Sequence, residues 1–198
     1  MTSLTMGTSG EKSISPREIQ AELALIDAAR RDPGQFRVLY ERYHERLYLF
    51  IWRRCSDENL CADLTQQVFL KALQKLDRYE SRGLPFSAWL CRIALNEVNM
   101  YYRQSKRRRT IRLDQAQLPA LVAETRQPFS AESTELIVKA LQFLKPEEAE
   151  LIRLRFFEEM PFREIGLIFG ISENNAKVKL YRVLGKLKTW LTSWEDSK

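Results

Sequence analysis

Between Phe162 and Arg182 the chain runs Phe162-Arg163-Glu164-Ile165-Gly166-Leu167-Ile168-Phe169-Gly170-Ile171-Ser172-Glu173-Asn174-Asn175-Ala176-Lys177-Val178-Lys179-Leu180-Tyr181-Arg182. That order of residue types leaves room for little besides a short helix, a sharp turn and a second helix. Ile165 and Ile168/Phe169 form an inward face that reaches Gly170, a residue suited to a left-handed turn. Ser172 is placed to cap the second helix. At about 100° per residue, Ala176, Leu180, Val183 and Leu187 share one apolar stripe of that helix. Asn174, Asn175, Val178, Tyr181 and Arg182 face the other way, flanked by Lys177 and Lys179. Amide, aromatic and basic side chains on the outer face of such a helix suit the major groove of a nucleic acid.

The charge of the chain agrees with that direction, chiefly through its placement. A formal net charge of +6 is modest for 198 residues, but Arg103, Lys106, Arg107, Arg108, Arg109 and Arg112 crowd one stretch that holds no acid between Arg103 and Arg112. Such a run is suited to phosphate contact. Other classes of function recede. Cys55, Cys61 and Cys91 are an odd set without a CxxC pair, which argues for a reducing cytoplasm and against a disulfide framework or zinc site. His44, the single histidine, lies among Tyr43, Arg46 and Leu47 at the boundary of a helix, not in a catalytic constellation. No apolar run approaches the roughly 18 residues that a membrane span requires. The acids, Asp57, Glu58 and Asp63 included, make no convincing metal-binding set, and no cofactor, metal or small-molecule substrate is expected.

Helical spacing dominates the rest, and the expected fold is all-α: two helical domains joined by a flexible linker, the C-terminal one containing the helix-turn-helix. Residues 1–17 read as a mobile tail rich in Ser, Thr and Gly. Residues 18–106 form the first domain, with helices expected over 18–31, from Phe36 to Ile51, from Leu60 to Leu76 and from Ser87 to Gln104. A loop at Asp77–Phe86 carries Gly83 and Pro85. Residues 107–132, basic and then mixed with Pro119 and Pro128, read as the linker. Residues 133–198 form the second domain, where Pro146 is placed to open a helix.

Two helices of the first domain carry faces that core packing does not require. On the helix from Leu60, Leu64, Thr65, Val68, Phe69, Ala72 and Leu76 point inward. Asp63, Gln66, Gln67, Leu70 and Gln74 point out, a face with few long charges that fits a protein partner. On the helix from Ser87, Arg92, Asn96, Asn99 and Arg103 fall on one stripe about 60° wide. Two arginines and two asparagines can contact phosphates and base edges, and the stripe leads directly into the basic run. The preceding loop offers Tyr79 and Phe86, with Arg78, Glu80 and Ser81, as a place to hold an unstacked base.

With these segments laid out, the chain resembles the extracytoplasmic-function group of RNA polymerase sigma factors in the sigma-70 family. Asp63-Leu64-Thr65-Gln66-Gln67-Val68-Phe69 is similar to that family's core-binding motif, Asp-x-x-Gln-Glu-x-Phe, with Gln67 in place of Glu. Trp89-Leu90-Cys91-Arg92-Ile93-Ala94-Leu95-Asn96 is similar to its Trp-Leu-x-x-Ile-Ala-x-Asn helix, and Leu144 to Leu187 resembles its second conserved domain. The resemblance implies that Asp63, Gln66, Gln67 and Phe69, with Leu70 beside them, dock on the clamp of the polymerase largest subunit. It implies that Arg92, Asn96 and Asn99 face the −10 promoter element, that the loop around Arg78–Phe86 receives a flipped base, and that Arg103, Lys106 and Arg107 hold the backbone. Asn175, Lys177, Val178, Lys179, Tyr181 and Arg182 would then serve the −35 element as duplex, although Asn174-Asn175-Ala176 stands where Gly-Thr-Val is common. The implied partners are RNA polymerase core, promoter DNA and a separate anti-sigma factor, and the implied protein is not an enzyme. The competing reading is a stand-alone helix-turn-helix transcriptional regulator, which calls for a sensor or dimerisation domain where residues 20–104 give a helical domain with its own nucleic-acid stripe.

Overall fold

Ser15 and Glu18 decide where the first helix starts. The Ser15 hydroxyl accepts the Glu18 amide at 3.3 Å, and the Glu18 carboxylate accepts the Ser15 amide at 2.8 Å. This reciprocal cap, with Pro16 at the first position, opens α1 (Pro16–Arg31) two residues before the expected 18. At the far end Asp32 accepts the Gly34 amide at 2.9 Å and shapes a short turn, Pro33–Gln35, into α2 (Phe36–Trp52). Asp57 caps α3 (Glu58–Gln74) by accepting the Leu60 amide at 2.8 Å. A single turn, Leu76–Arg78, and a loop then lead into α4 (Phe86–Ser105).

The computed structural model describes residues 15–55, 57–105, 121, 139–141 and 143–195, and no strand occurs among them. The chain divides into two compact units, one built around α1 to α4. Within it α2, α3 and α4 pack against one another, with α1 along α2. Phe36, Leu39, Tyr43, Leu47, Phe50 and Ile51 of α2 are buried as their spacing predicts, and so are Leu64, Thr65, Val68, Phe69 and Ala72 of α3. Each large apolar side chain so buried contributes about 1.5–3 kcal/mol. Arg54 is the unexpected member of this core. It is fully buried, its guanidinium 3.4 Å from the centre of the Phe50 ring, and it donates to the Phe50 carbonyl at 2.5 Å. A cation just beyond the end of a helix, bonded to one of that helix's last carbonyls, is electrostatically well placed.

The second unit holds α5 (Pro146–Ile152), a π-helical turn at Arg153–Phe157, the start of α6 (Phe162–Phe169) as far as Ile165, and α7 (Glu173–Glu195), while Gly166–Ser172 cluster with α1 to α4. Pro146 occupies the first helical position, and Glu148 accepts the Lys145 amide at 3.1 Å. Lys186 of α7 in turn bonds the Glu148 carboxylate. The π turn ends where Glu159 takes a left-handed backbone, φ 52°. Its exit is held by Arg155, which donates to the Met160 carbonyl at 3.1 Å and covers the Phe162 ring at 4.8 Å. Ala176, Leu180, Val183 and Leu187 are buried along α7, as the periodicity predicts, and Leu184 and Leu191 extend the stripe.

Candidate nucleic-acid interface

Gly170 makes the turn between α6 and α7. Its φ is 67°, its amide reaches the Leu167 carbonyl at 3.2 Å, and the next amide, Ile171, reaches back to Gly166 at 2.9 Å. These two bonds and the left-handed glycine form a Schellman stop, which satisfies carbonyls left over at the end of α6. Beyond it Asn174, Asn175, Lys177, Val178, Lys179, Tyr181 and Arg182 are all exposed on α7. Val178 and Tyr181 expose 46% and 51% of their surface, which places apolar and aromatic surface on this face. The outward face is therefore amide, apolar and basic at once, the mixture needed to meet base edges, thymine methyls and phosphates.

On α4 the expected stripe is presented as a unit. Asn96, Asn99 and Arg103 are exposed and Arg92 is half-buried, while Leu90, Ala94, Leu95 and Val98 beside them lie in the core. The helix is further tied to α3 by the Lys71 ammonium and the Glu97 carboxylate, 2.5 Å apart and largely shielded from solvent. Lys106 and Arg107, with the rest of the basic run, lie outside the described residues. Of the expected linker, 107–132, only Leu121 is described, and it is buried.

The outer face of α3 presents Asp63, Gln66, Gln67, Leu70 and Gln74, with Leu70 55% exposed. Phe69 is not on it. Its ring sits inside, 6.3 Å from Phe36 edge-on and 4.6 Å from Tyr40, at 4% exposure. An aromatic side chain so enclosed fixes the helix on α2 and presents no surface to a partner. The loop needs the same correction. Tyr79 and Phe86 are core residues packed edge to face at 5.2 Å, with Trp89 within 5.3 Å of both. Burial pushes the Tyr79 phenol up to about 12. Neither ring is open to a base. What the loop exposes is its tip, a tight turn in which Leu84 donates to the Ser81 carbonyl at 2.7 Å across Arg82 (φ 46°) and Gly83 (φ 66°). Two left-handed residues in succession define a type I′ turn. Glu80 and Arg82 stand out from it as an exposed ion pair at 3.1 Å.

Hydrophobic periodicity gave no warning of the polar core groups. Glu22 is 6% exposed and lies on the same stripe of α1 as the buried Ile26 and Ala29; an acid on an apolar stripe is the only trace it leaves in the sequence. All three cysteines are buried. Among the described residues, no cluster of His, Cys, Asp and Glu is placed to hold a metal ion. No described helix is long and apolar enough to cross a membrane.

Fold and faces together define a class, an all-helical protein with one exposed amide and basic face on a helix-turn-helix and another on α4. Residues 39–108 match the family model for sigma-70 region 2, and residues 134–187 match that for sigma-70 region 4. The chain belongs to the sigma-70 family, in its extracytoplasmic-function group, and is a sigma factor that directs transcription initiation. It is 30% identical over 174 residues to the RNA polymerase sigma factor CarQ of Myxococcus xanthus, covering 83% of this chain and 95% of CarQ. It shares 29% identity over 170 residues with the sigma factor BldN of Streptomyces coelicolor, over 83% of this chain but only 64% of BldN's length. A solved structure of CnrH with the cytosolic domain of CnrY has the same fold at a TM-score of 0.53, 24% identity, and coverage of 86% of this chain and 96% of CnrH. Sigma factors in general are not enzymes.

Proposed function

We propose a division of labour in which the unit over residues 18–106 docks on RNA polymerase core and reads the −10 element, and the unit over residues 133–198 reads the −35 element. Residues 107–132 connect them. Asp63, Gln66, Gln67 and Leu70 form the polymerase-facing surface of α3, held in place from inside by Phe69. Arg92, Asn96, Asn99 and Arg103 meet the −10 element, and Lys106 and Arg107 extend that contact along the backbone. Asn175, Lys177, Val178, Lys179, Tyr181 and Arg182 meet the −35 element as duplex.

The observation that carries this reading is the exposure of the α4 stripe on a helix whose remaining faces are almost all buried. Opening the −10 element costs a few kcal/mol per unstacked base, which a fixed row of amide and guanidinium groups can offset by binding the separated strand. The chemistry of bond formation stays with the polymerase; this chain supplies positioning. The protein works in the cytoplasm, where polymerase and chromosome are. Its activity is held by an anti-sigma protein. That part of the proposal has a parallel in the Bartonella quintana sigma factor RpoE, which was solved in complex with the anti-sigma factor NepR.

In vitro transcription from a pool of genomic fragments, with core polymerase in the presence and absence of this protein, tests the reading. New start sites sharing two upstream motifs are expected. Footprints on the same fragments without polymerase, and no new starts, would assign the chain to stand-alone regulators instead.

A further inference from the structure

The loop between α3 and α4 is held at both ends by α1, a helix to which the proposed division of labour gives no part. Arg30 of α1 donates from Nε to the Leu76 carbonyl at 3.1 Å and from a terminal nitrogen to the Tyr79 carbonyl, where the loop begins. About two turns earlier on α1, the Glu22 carboxylate accepts the Phe86 amide at 2.9 Å, where the loop ends and α4 begins. The other Glu22 oxygen accepts the Tyr43 hydroxyl. A carboxylate at that point is needed. Phe86 is the first residue of α4, so its amide has no partner within the helix, and the preceding Pro85 has no side-chain oxygen with which to cap it. The buried anion satisfies the amide and sits favourably at the positive end of the helix dipole.

Between these anchors the loop is closed on itself. The Tyr79 and Phe86 rings clasp at its base and the type I′ turn shapes its tip. Between Leu76 and Phe86 the exposed residues are Asp77, Arg78, Glu80, Arg82 and Gly83. A left-handed arginine is strained, and a strained tip keeps one shape only if its base is pinned.

We infer that Glu22 and Arg30 are positioning residues for −10 recognition, fixing the Tyr79–Phe86 loop and the start of α4 in one arrangement before DNA arrives. The inference rests on the assignment of α4 to the −10 element. In this role α1 acts through the loop and touches no nucleotide. A loop held in its competent shape only a tenth of the time binds its ligand roughly tenfold more weakly.

The test uses holoenzyme reconstituted from core polymerase and the full chain. Two affinities are measured by fluorescence anisotropy, for a single-stranded oligonucleotide bearing the non-template −10 sequence of a mapped promoter and for duplex −35 DNA. Glu22→Leu and Arg30→Met are expected to weaken oligonucleotide binding roughly tenfold while leaving duplex binding unchanged. Glu22→Gln keeps an oxygen for the Phe86 amide and is expected to recover most of the loss. Arg30 is partly exposed, with 28% of its side chain accessible, so Arg30→Met remains informative if Glu22→Leu does not fold. Wild-type oligonucleotide affinity in both variants overturns the inference, as does an equal loss of both affinities, which would mark a purely structural role. Arg92→Ala with Asn96→Ala is the control. Normal oligonucleotide binding by that variant would remove the −10 assignment itself, and the inference with it.

Discussion

The two helices proposed to face DNA are built on opposite principles. The outward face of α7 is backed by one aliphatic stripe, Ala176, Leu180, Val183, Leu184, Leu187 and Leu191, and its side chains stand on a helix begun by a glycine turn. Little besides that stripe is needed to present them. On α4 the proposed readers occupy one narrow strip of a helix that is otherwise core, from Phe86 to Val98. That strip depends on α1, on the α3–α4 loop and on a shielded ion pair with α3. The contrast matches the two physical tasks proposed. Duplex DNA already has a regular groove into which a helix fits. A separated strand has no shape of its own, so the protein must supply a fixed one.

The largest effect is expected where α4 is most enclosed. Phe86→Ala removes a fully buried ring in contact with Tyr43, Tyr79 and Trp89. It should cost about 3–5 kcal/mol in chemical denaturation. Promoter opening should be lost while duplex −35 binding survives; equal loss of both would erase the contrast. Next comes Glu97→Ala, which leaves Lys71 without its carboxylate against a partly buried surface. A destabilisation of about 1–3 kcal/mol is expected, and none at all would mean that α3 and α4 are held by apolar packing alone.

Two glycines sharpen the comparison from the other side. Gly170→Ala forces a side chain into the left-handed turn, φ 67°, and should destabilise by about 1 kcal/mol. Gly185→Ala sits inside α7 with nothing within 4 Å of the added methyl group. It should stabilise by about 0.5–1 kcal/mol. Thermal melting of the two variants should therefore move in opposite directions. The smallest effect is electrostatic. The hydrogen bond from Lys186 holds the Glu148 carboxyl below its usual range. A lowered folded value means that this contribution is complete above the ordinary carboxylate pKa and fades as the pH falls through the folded value. Because Lys186 is 57% exposed, Lys186→Met should cost no more than about 0.5 kcal/mol at neutral pH. The difference from wild type should vanish in acid; a difference that persists there would assign the contact to packing of the lysine stem.

Much of this architecture was legible from spacing alone. The buried stripe of α7, both faces of α3 and the exposed strip of α4 are set by the fit between residue order and helical period, which needs no tertiary information. Gly170 was legible because a left-handed turn has few alternatives. Polar groups whose partners are distant in sequence were not. Glu22 bonds an amide at Phe86, Arg30 bonds carbonyls at Leu76 and Tyr79, and Lys71 pairs with Glu97. Apart from the place of Glu22 on the apolar stripe of α1, none of these pairs leaves a periodic trace. The aromatics failed differently. Phe69, Tyr79 and Phe86 occupy positions where a functional role and a core role predict the same residue, and only packing separates the two. The π turn at Arg153–Phe157 had no sequence signal in the residues themselves.

The measurement that reaches furthest compares two double variants on one mapped promoter, Arg92→Ala/Asn96→Ala and Lys177→Ala/Arg182→Ala. Upstream occupancy is read by footprinting and strand opening by permanganate reactivity of unpaired thymines. A separation is expected: the α4 variant occupies the −35 region but leaves the thymines unreactive. The α7 variant should lose −35 occupancy, weakened by about 1–3 kcal/mol for each good base contact removed, and should still open a promoter to which it is driven at high concentration. Normal opening by the α4 variant, or loss of both signals in both variants, would contradict the assignment of separated strand to one helix and duplex to the other.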